Sequence, residues 1–223
     1  MPANSSEVSP AALDDRRAAV DELGRALHAL VQTAVATEVE TPELRRVAAL
    51  AREAAASLGR VTRSRHDFSR VDDIVHGIRM YNPVIGVGSP LAPPLKVTMI
   101  DGRAEATCTL GLAYEGPPSY VHGGVSAMLL DQILGHAIAS QGRPGMTREL
   151  VCRYRRPVPL QTPLWLTAEV QQVADDGRTV IGTGAITTAE DSSTVLVEAT
   201  GTFVRLRRQH VERLFARNGD GAR

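Results

Sequence analysis

Apolar residues change their spacing twice along this chain, and each change predicts a different kind of element. Up to about residue 58 they recur at helical intervals: Leu23, Leu27, Leu30 and Val31, then Leu44, Val47, Leu50, Ala51 and Ala54. Ser9 before Pro10 supplies a capping hydroxyl ahead of a first-turn proline, which predicts a helix running to about Glu40. Thr41-Pro42 repeats that start signal and Gly59 follows Leu58 as a C-cap, so a second helix is expected over about 42–58. Together they predict a helical hairpin packed on the main domain or on a partner subunit. Between Asp67 and Pro94 periodicity is lost and Pro and Gly accumulate, which reads as a connecting segment with turns, able to line a pocket.

Beyond Lys96 the period falls to two. Lys96 to Ile100, a turn at Asp101-Gly102 and Arg103 to Leu110 read as a hairpin, with Ala104, Ala106, Cys108 and Leu110 on one face. Further strands are expected over 147–155, 164–174, 178–188 and 194–206, with a hairpin turn at Asp176-Gly177. Between these sets lies an apolar helix of about 124–140, ended by Gly142-Arg143-Pro144-Gly145. The order strand, strand, helix, then antiparallel strands predicts an α+β fold in which an antiparallel sheet wraps one buried helix. The implied division is a helical extension (1–65), a connecting segment (66–95), the sheet-and-helix domain (96–208) and a C-terminal tail (209–223).

The helix carries the sequence's main anomaly. From Val125 to Ala139 its side chains are apolar or small except for Asp131, Gln132 and His136, so burial on almost all sides is expected. Asp131 shares a face with Ala127, Gly135 and Ile138, whose two small members leave space over the carboxylate. An unpaired buried charge costs several kcal/mol, so this Asp is either a working group or paired with an arginine such as Arg148 or Arg153.

Composition narrows the partners. With 25 basic and 25 acidic residues the formal net charge is zero, so no overall field draws the chain to nucleic acid or to an anionic membrane. Lys96 is the only lysine, an arginine bias that fits GC-rich coding better than a selected chemistry. Cys108 and Cys152 lie in alternating strands without metal-type spacing and read as reduced core thiols. No signal pattern opens the chain, its acidic residues argue against a transit peptide, and the longest apolar run is too short to span a bilayer. A cytoplasmic protein without a metal or other cofactor is expected.

These elements, with particular motifs, resemble the hotdog-fold acyl-coenzyme A thioesterases of the phenylacetate-pathway type and their long-chain relatives. Tyr114-Glu115-Gly116-Pro117-Pro118 leads into Val121-His122-Gly123-Gly124, Asp131 follows the histidine by nine residues, Met146-Thr147 opens a strand, and Tyr154-Arg155-Arg156-Pro157-Val158-Pro159-Leu160 completes the set. The resemblance covers about residues 82–207. It implies that the Gly123 N–H, at the positive end of the helix, polarises the thioester carbonyl. Asp131 would be general base or nucleophile, and Thr147 would orient the carboxylate or a water. His122, Gly124, Arg155 and Arg156 would bind substrate. The His122 imidazole reads as a tie between the loop and the helix start before any acid–base role, and His136 as a core or interface histidine. Arg153 and Arg155 share one strand face and Arg156 takes the other, so the three arginines cannot all meet coenzyme A phosphates. Many relatives place an Asn a few residues before the histidine, where this chain has Gly116.

Reach adds an assembly. Asp131 lies eight residues beyond Gly123, about 12 Å along a helix, so one thioester cannot touch both within a chain. A homodimer or dimer of dimers with sites shared across a twofold axis is expected. Two other functions compete. A hotdog hydratase or dehydratase would call for a catalytic histidine arranged differently with its carboxylate. A non-catalytic acyl-CoA sensor signalling through the N-terminal helices would tolerate loss of the Asp131 charge. No basic recognition helix supports nucleic-acid binding.

Overall fold

The computed structural model describes residues 9–65, 67–73, 77–142 and 145–205, so the expected tail at 209–223 lies outside the described residues. Two N-terminal helices form, α1 (Pro10–Ala36) and α2 (Thr41–Leu58). The Ser9 side chain caps α1 by accepting from the Ala12 N–H, and Gly59 caps the end of α2, both as the sequence predicts. α2, however, buries no residue, and Leu44 and Leu50 stay exposed. The reason lies in what α1 packs against instead. Its buried Val20 joins Val71 and Met80 of the connecting segment. At Gly24 that segment approaches so closely that a Cβ would collide with the Val87 carbonyl oxygen. The Arg17 Nε donates to the Val71 carbonyl at 3.0 Å, and the His28 Nδ1 sits 3.3 Å from the Pro90 carbonyl oxygen.

Six strands follow: β1 (Lys96–Ile100), β2 (Arg103–Thr109), β3 (Met146–Tyr154), β4 (Pro163–Val173), β5 (Thr179–Thr188) and β6 (Val197–Val204). They form one antiparallel sheet in the order β1-β2-β4-β5-β6-β3. Asp101 and Gly102, both at positive φ (48° and 80°), make the tight turn between β1 and β2. Asp176 organises the β4–β5 turn by accepting from the Arg178 and Thr179 N–H groups, each at 2.8 Å. A short 3-10 turn (Leu112–Tyr114) precedes the long helix α3 (Gly123–Ser140).

α3 lies on the concave face of the sheet, where Leu129, Leu130, Ile133, Leu134 and Ile138 are fully or almost fully buried. This is the hotdog arrangement the sequence leads one to expect. Burial is one-sided, however. Ala127, Asp131, Gln132, Gly135 and His136 remain half-exposed, because a single six-stranded sheet covers only one side of the helix. β3 ends the sheet, so its outer edge carries unpaired backbone groups, and Val151 and Met146 are 47% and 57% exposed. Cys108 is buried, Cys152 half-buried, and both are free thiols. None of the described helices is long and apolar enough to cross a membrane.

Candidate active site at the start and middle of the long helix

The site begins with a loop that delivers the chain to α3. The His122 N–H donates to the Tyr114 carbonyl and the Val121 N–H to the Val158 carbonyl, both at 2.9 Å, so the loop is tied on two sides. Gly116 packs against His122 itself. A Cβ at 116 would sit 2.7 Å from the His122 Cα, so an amide side chain of the kind the family resemblance suggests has no room in this loop.

His122 is the N-cap of α3, and its Nδ1 accepts from the Gly124 N–H at 3.0 Å. An accepting Nδ1 requires the imidazole tautomer with its proton on Nε2. The bond is the tie between loop and helix start that the sequence allows for. It also commits the N–H of Gly124, expected among the substrate-binding groups, to His122. The His122 carbonyl accepts from the Val125 N–H at 2.9 Å. The Gly123 N–H, by contrast, has no acceptor among the described residues. One unpaired donor therefore stands at the positive end of the helix dipole.

The carboxylate stands two turns on. Asp131 is half-exposed rather than buried, because it lies at the margin of the side that the sheet leaves open. Neither arginine partner foreseen for it is present. Arg153 lies 3.7 Å from Glu198, and no hydrogen bond joins Arg148 to Asp131. Instead the Thr147 Oγ1 donates to the Asp131 Oδ1 at 2.8 Å, while Oδ2 has no partner among the described residues.

A β-bulge makes this contact possible. Thr147 pairs with Phe203, whose buried ring faces the helix, but the register shifts before Glu149 pairs with Thr202. The extra residue, Arg148, places Thr147 on the same face as Leu150 and Cys152, which pack against the core. Strict alternation would have sent Thr147 to the opposite face with Val151. Cys152 lies close enough to feel the carboxylate: burial first, then the Asp131 charge, pushes its thiol above the ordinary range.

A cleft of about 370 Å³ opens beside the helix start, lined among others by Gly123, Tyr154, Arg155 and Arg156. The Tyr154 hydroxyl donates to the Gly123 carbonyl at 2.9 Å, a contact sequence reading did not anticipate. Its position at the end of the β3 alternation and at the head of the Tyr154–Leu160 motif was the signal that could have marked it. Arg155 is held by Glu198 at 2.7 Å, and that hydrogen bond keeps the Glu198 carboxyl below its ordinary range. The Arg156 guanidinium has no partner among the described residues, so it is the freer of the two expected cations. His136 bonds within its own helix, its Nδ1 lying 3.1 Å from the Gln132 carbonyl oxygen. Gln132 in turn accepts from the Asn82 Nδ2 at 3.3 Å, fastening the connecting segment to the open side of α3. Among the described residues no cluster of three His, Cys, Asp or Glu could hold a metal ion.

Residues 119–179, which include His122, Gly123, Asp131, Thr147 and Tyr154, match the family described as Thioesterase superfamily. Acyl-coenzyme A thioesterase THEM4 of Mus musculus is 32% identical over 107 residues, 48% of this chain and 45% of that protein. THEM4 of Rattus norvegicus is 31% identical over 96 residues, 43% of this chain and 40% of that protein. The chain thus spans less than half the length of these curated relatives. A solved structure described as a thioesterase superfamily protein is 38% identical, with a TM-score of 0.73 over 83% of this chain and 94% of its own. That coverage reaches beyond residues 82–207 into the N-terminal segment.

Proposed function

The chain belongs to the thioesterase superfamily, and from that premise we propose that it hydrolyses an acyl-CoA thioester to the free acid and coenzyme A. The observation that carries the reading is the pairing of an unbonded Gly123 N–H at a helix start with a Thr147-oriented carboxylate farther along the same helix.

The chemistry follows from these groups. Asp131 takes a proton from water through its open Oδ2 while Thr147 holds Oδ1. The hydroxide adds to the thioester carbonyl carbon, and the Gly123 N–H, backed by the helix dipole, meets the developing oxyanion. Such a donor is typically worth about 3 kcal/mol. Collapse of the tetrahedral intermediate breaks the C–S bond, and the leaving thiolate recovers the proton from Asp131. Direct attack by Asp131, with water then cleaving a mixed anhydride, uses the same oxygen and the same oxyanion donor. Neither route needs a metal or other cofactor.

The 12 Å or so between Gly123 and Asp131 means that each site is built from two subunits. The free edge of β3 and the open side of α3 are where a second copy fits: antiparallel pairing of two β3 strands would extend the sheet and bring two α3 helices side by side. The phosphates of coenzyme A would meet Arg156 first, since Arg155 is engaged with Glu198. A fatty or aryl acyl group would lie beside Ala127 and Gly135, walled by residues 82–94.

The deciding experiment is free-thiol release from acyl-CoA esters of short, long and aryl type, with wild type beside Asp131→Asn. Turnover that the variant loses supports hydrolysis and identifies the acyl class. No turnover on any ester, with tight ligand binding by both proteins, replaces hydrolysis with acyl-CoA sensing.

A further inference from the structure

We infer that Tyr154 and His122 clamp the Gly123–Gly124 peptide from both ends, which makes Tyr154 a positioning residue for the Gly123 N–H. Its catalytic consequence rests on the thioesterase reading above.

The need for such a clamp is visible in the sequence. Two successive glycines have the widest backbone freedom of any residue pair. They occupy the first turn of α3, where the N–H groups have no intrahelical acceptor to hold them. The Gly123 N–H lies on the His122–Gly123 peptide, so slack at the next peptide would let the first turn shift and carry the oxyanion donor away from the cleft. The structure answers with two side chains on one peptide unit. Its carbonyl oxygen, on Gly123, accepts from the Tyr154 hydroxyl at 2.9 Å. Its N–H, on Gly124, donates to the His122 Nδ1 at 3.0 Å. The preceding peptide is held at its own carbonyl, on His122, by the Val125 N–H at 2.9 Å.

The ring adds to the hydroxyl. A Cβ built on Gly123 would meet the Tyr154 ring carbons and hydroxyl at 3.3–3.4 Å, so the aromatic ring closes one side of the glycine. With both peptides held and one side covered, the Gly123 N–H is the donor left to face a ligand in the cleft. Burial first, and then the neighbouring Cys152, push the phenol above its ordinary range, so the hydroxyl keeps the proton it donates. Tyr154 comes from the end of β3, so the strand that aims Thr147 at Asp131 also fixes the oxyanion donor of its own helix.

The test is Tyr154→Phe in the full chain, which removes the hydroxyl and keeps the ring. The clamp predicts a roughly tenfold lower kcat, equivalent to about 1.4 kcal/mol in the barrier, with KM within about twofold of wild type. It also predicts amide hydrogen exchange at Gly124 faster by roughly fivefold, with other α3 amides unchanged. His122→Ala should reproduce both effects, and His122→Asn, whose side chain can still accept at an N-cap, should restore them. Unchanged kcat and unchanged exchange in Tyr154→Phe overturn the proposal. So does a rise in KM alone, which would mean that the hydroxyl touches substrate. If the wild type turns over no ester, the thioesterase reading falls, and the exchange measurement alone then upholds or overturns the clamp.

Discussion

Removing the Thr147 hydroxyl tests whether the bulge in β3 serves catalysis. Thr147→Val keeps the branched shape and removes one donor, leaving Asp131 Oδ1 without its 2.8 Å partner. A hydrogen bond to a charged group contributes about 1.5–3 kcal/mol. If its whole effect is to hold the carboxylate in the reactive orientation, kcat falls between about tenfold and about 150-fold. KM should change little, because Thr147 acts on the carboxylate and not on the ligand. Stability should stay within about 0.5 kcal/mol of wild type, since Thr147 is exposed and outside the packed core. Thr147→Ser, which retains the hydroxyl, should keep most of the rate. The assay is steady-state thiol release on the best acyl-CoA ester, with thermal melting as the control for folding. Wild-type kcat in Thr147→Val, or an equal loss in Thr147→Ser, would refute the orienting role.

Four further outcomes follow from the same geometry. Val151→Lys adds a charge to each β3 edge, so if two β3 edges pair, like charges are brought close together, size-exclusion chromatography should show monomers and turnover should vanish while the fold survives; an active monomer would refute the two-subunit site. Burial pushes the Cys108 thiol up to about 12, so a thiol reagent at pH 8 should leave it unlabelled in the native protein, whereas Cys152 should react slowly. Asp131→Asn removes the charge that helps raise the Cys152 thiol, so labelling of Cys152 should quicken; an unchanged rate would argue against their proximity. Burial holds His136 below its ordinary 6.5, so the unfolded chain binds the extra proton between the folded value and 6.5. Stability should therefore rise with pH across that window and fall as the pH drops through it. Denaturant melts of wild type and His136→Gln at pH 5 and 7 check this, the variant showing the smaller pH difference.

Much of this was legible along the chain. Period-two alternation and Asp-Gly turns specify hairpins because strand sides and turn geometry are local properties. A capping serine, a first-turn proline and a trailing glycine specify helix ends for the same reason, and α1 and α2 form where those signals stand. The histidine and glycine pair opening an apolar helix with a single Asp marked the region of the candidate site, since so exceptional a residue in so regular a context stands out without coordinates.

What the tertiary structure alone decided concerns relations between distant segments. That α1 would pack on the connecting segment and leave α2 uncovered depends on a close approach at Gly24 that periodicity cannot express. The half-exposure of Asp131 depends on how far one sheet can wrap one helix. Its partner depends on a one-residue bulge at Arg148, which reverses the face of Thr147 against the alternation of the strand that follows. Tyr154 reaches Gly123 only because β3 runs past the start of α3, at a sequence separation of 31. Local patterns determine elements because hydrogen bonds and side-chain periods act over a few residues. The site is set by register and packing, which arise only when the elements meet.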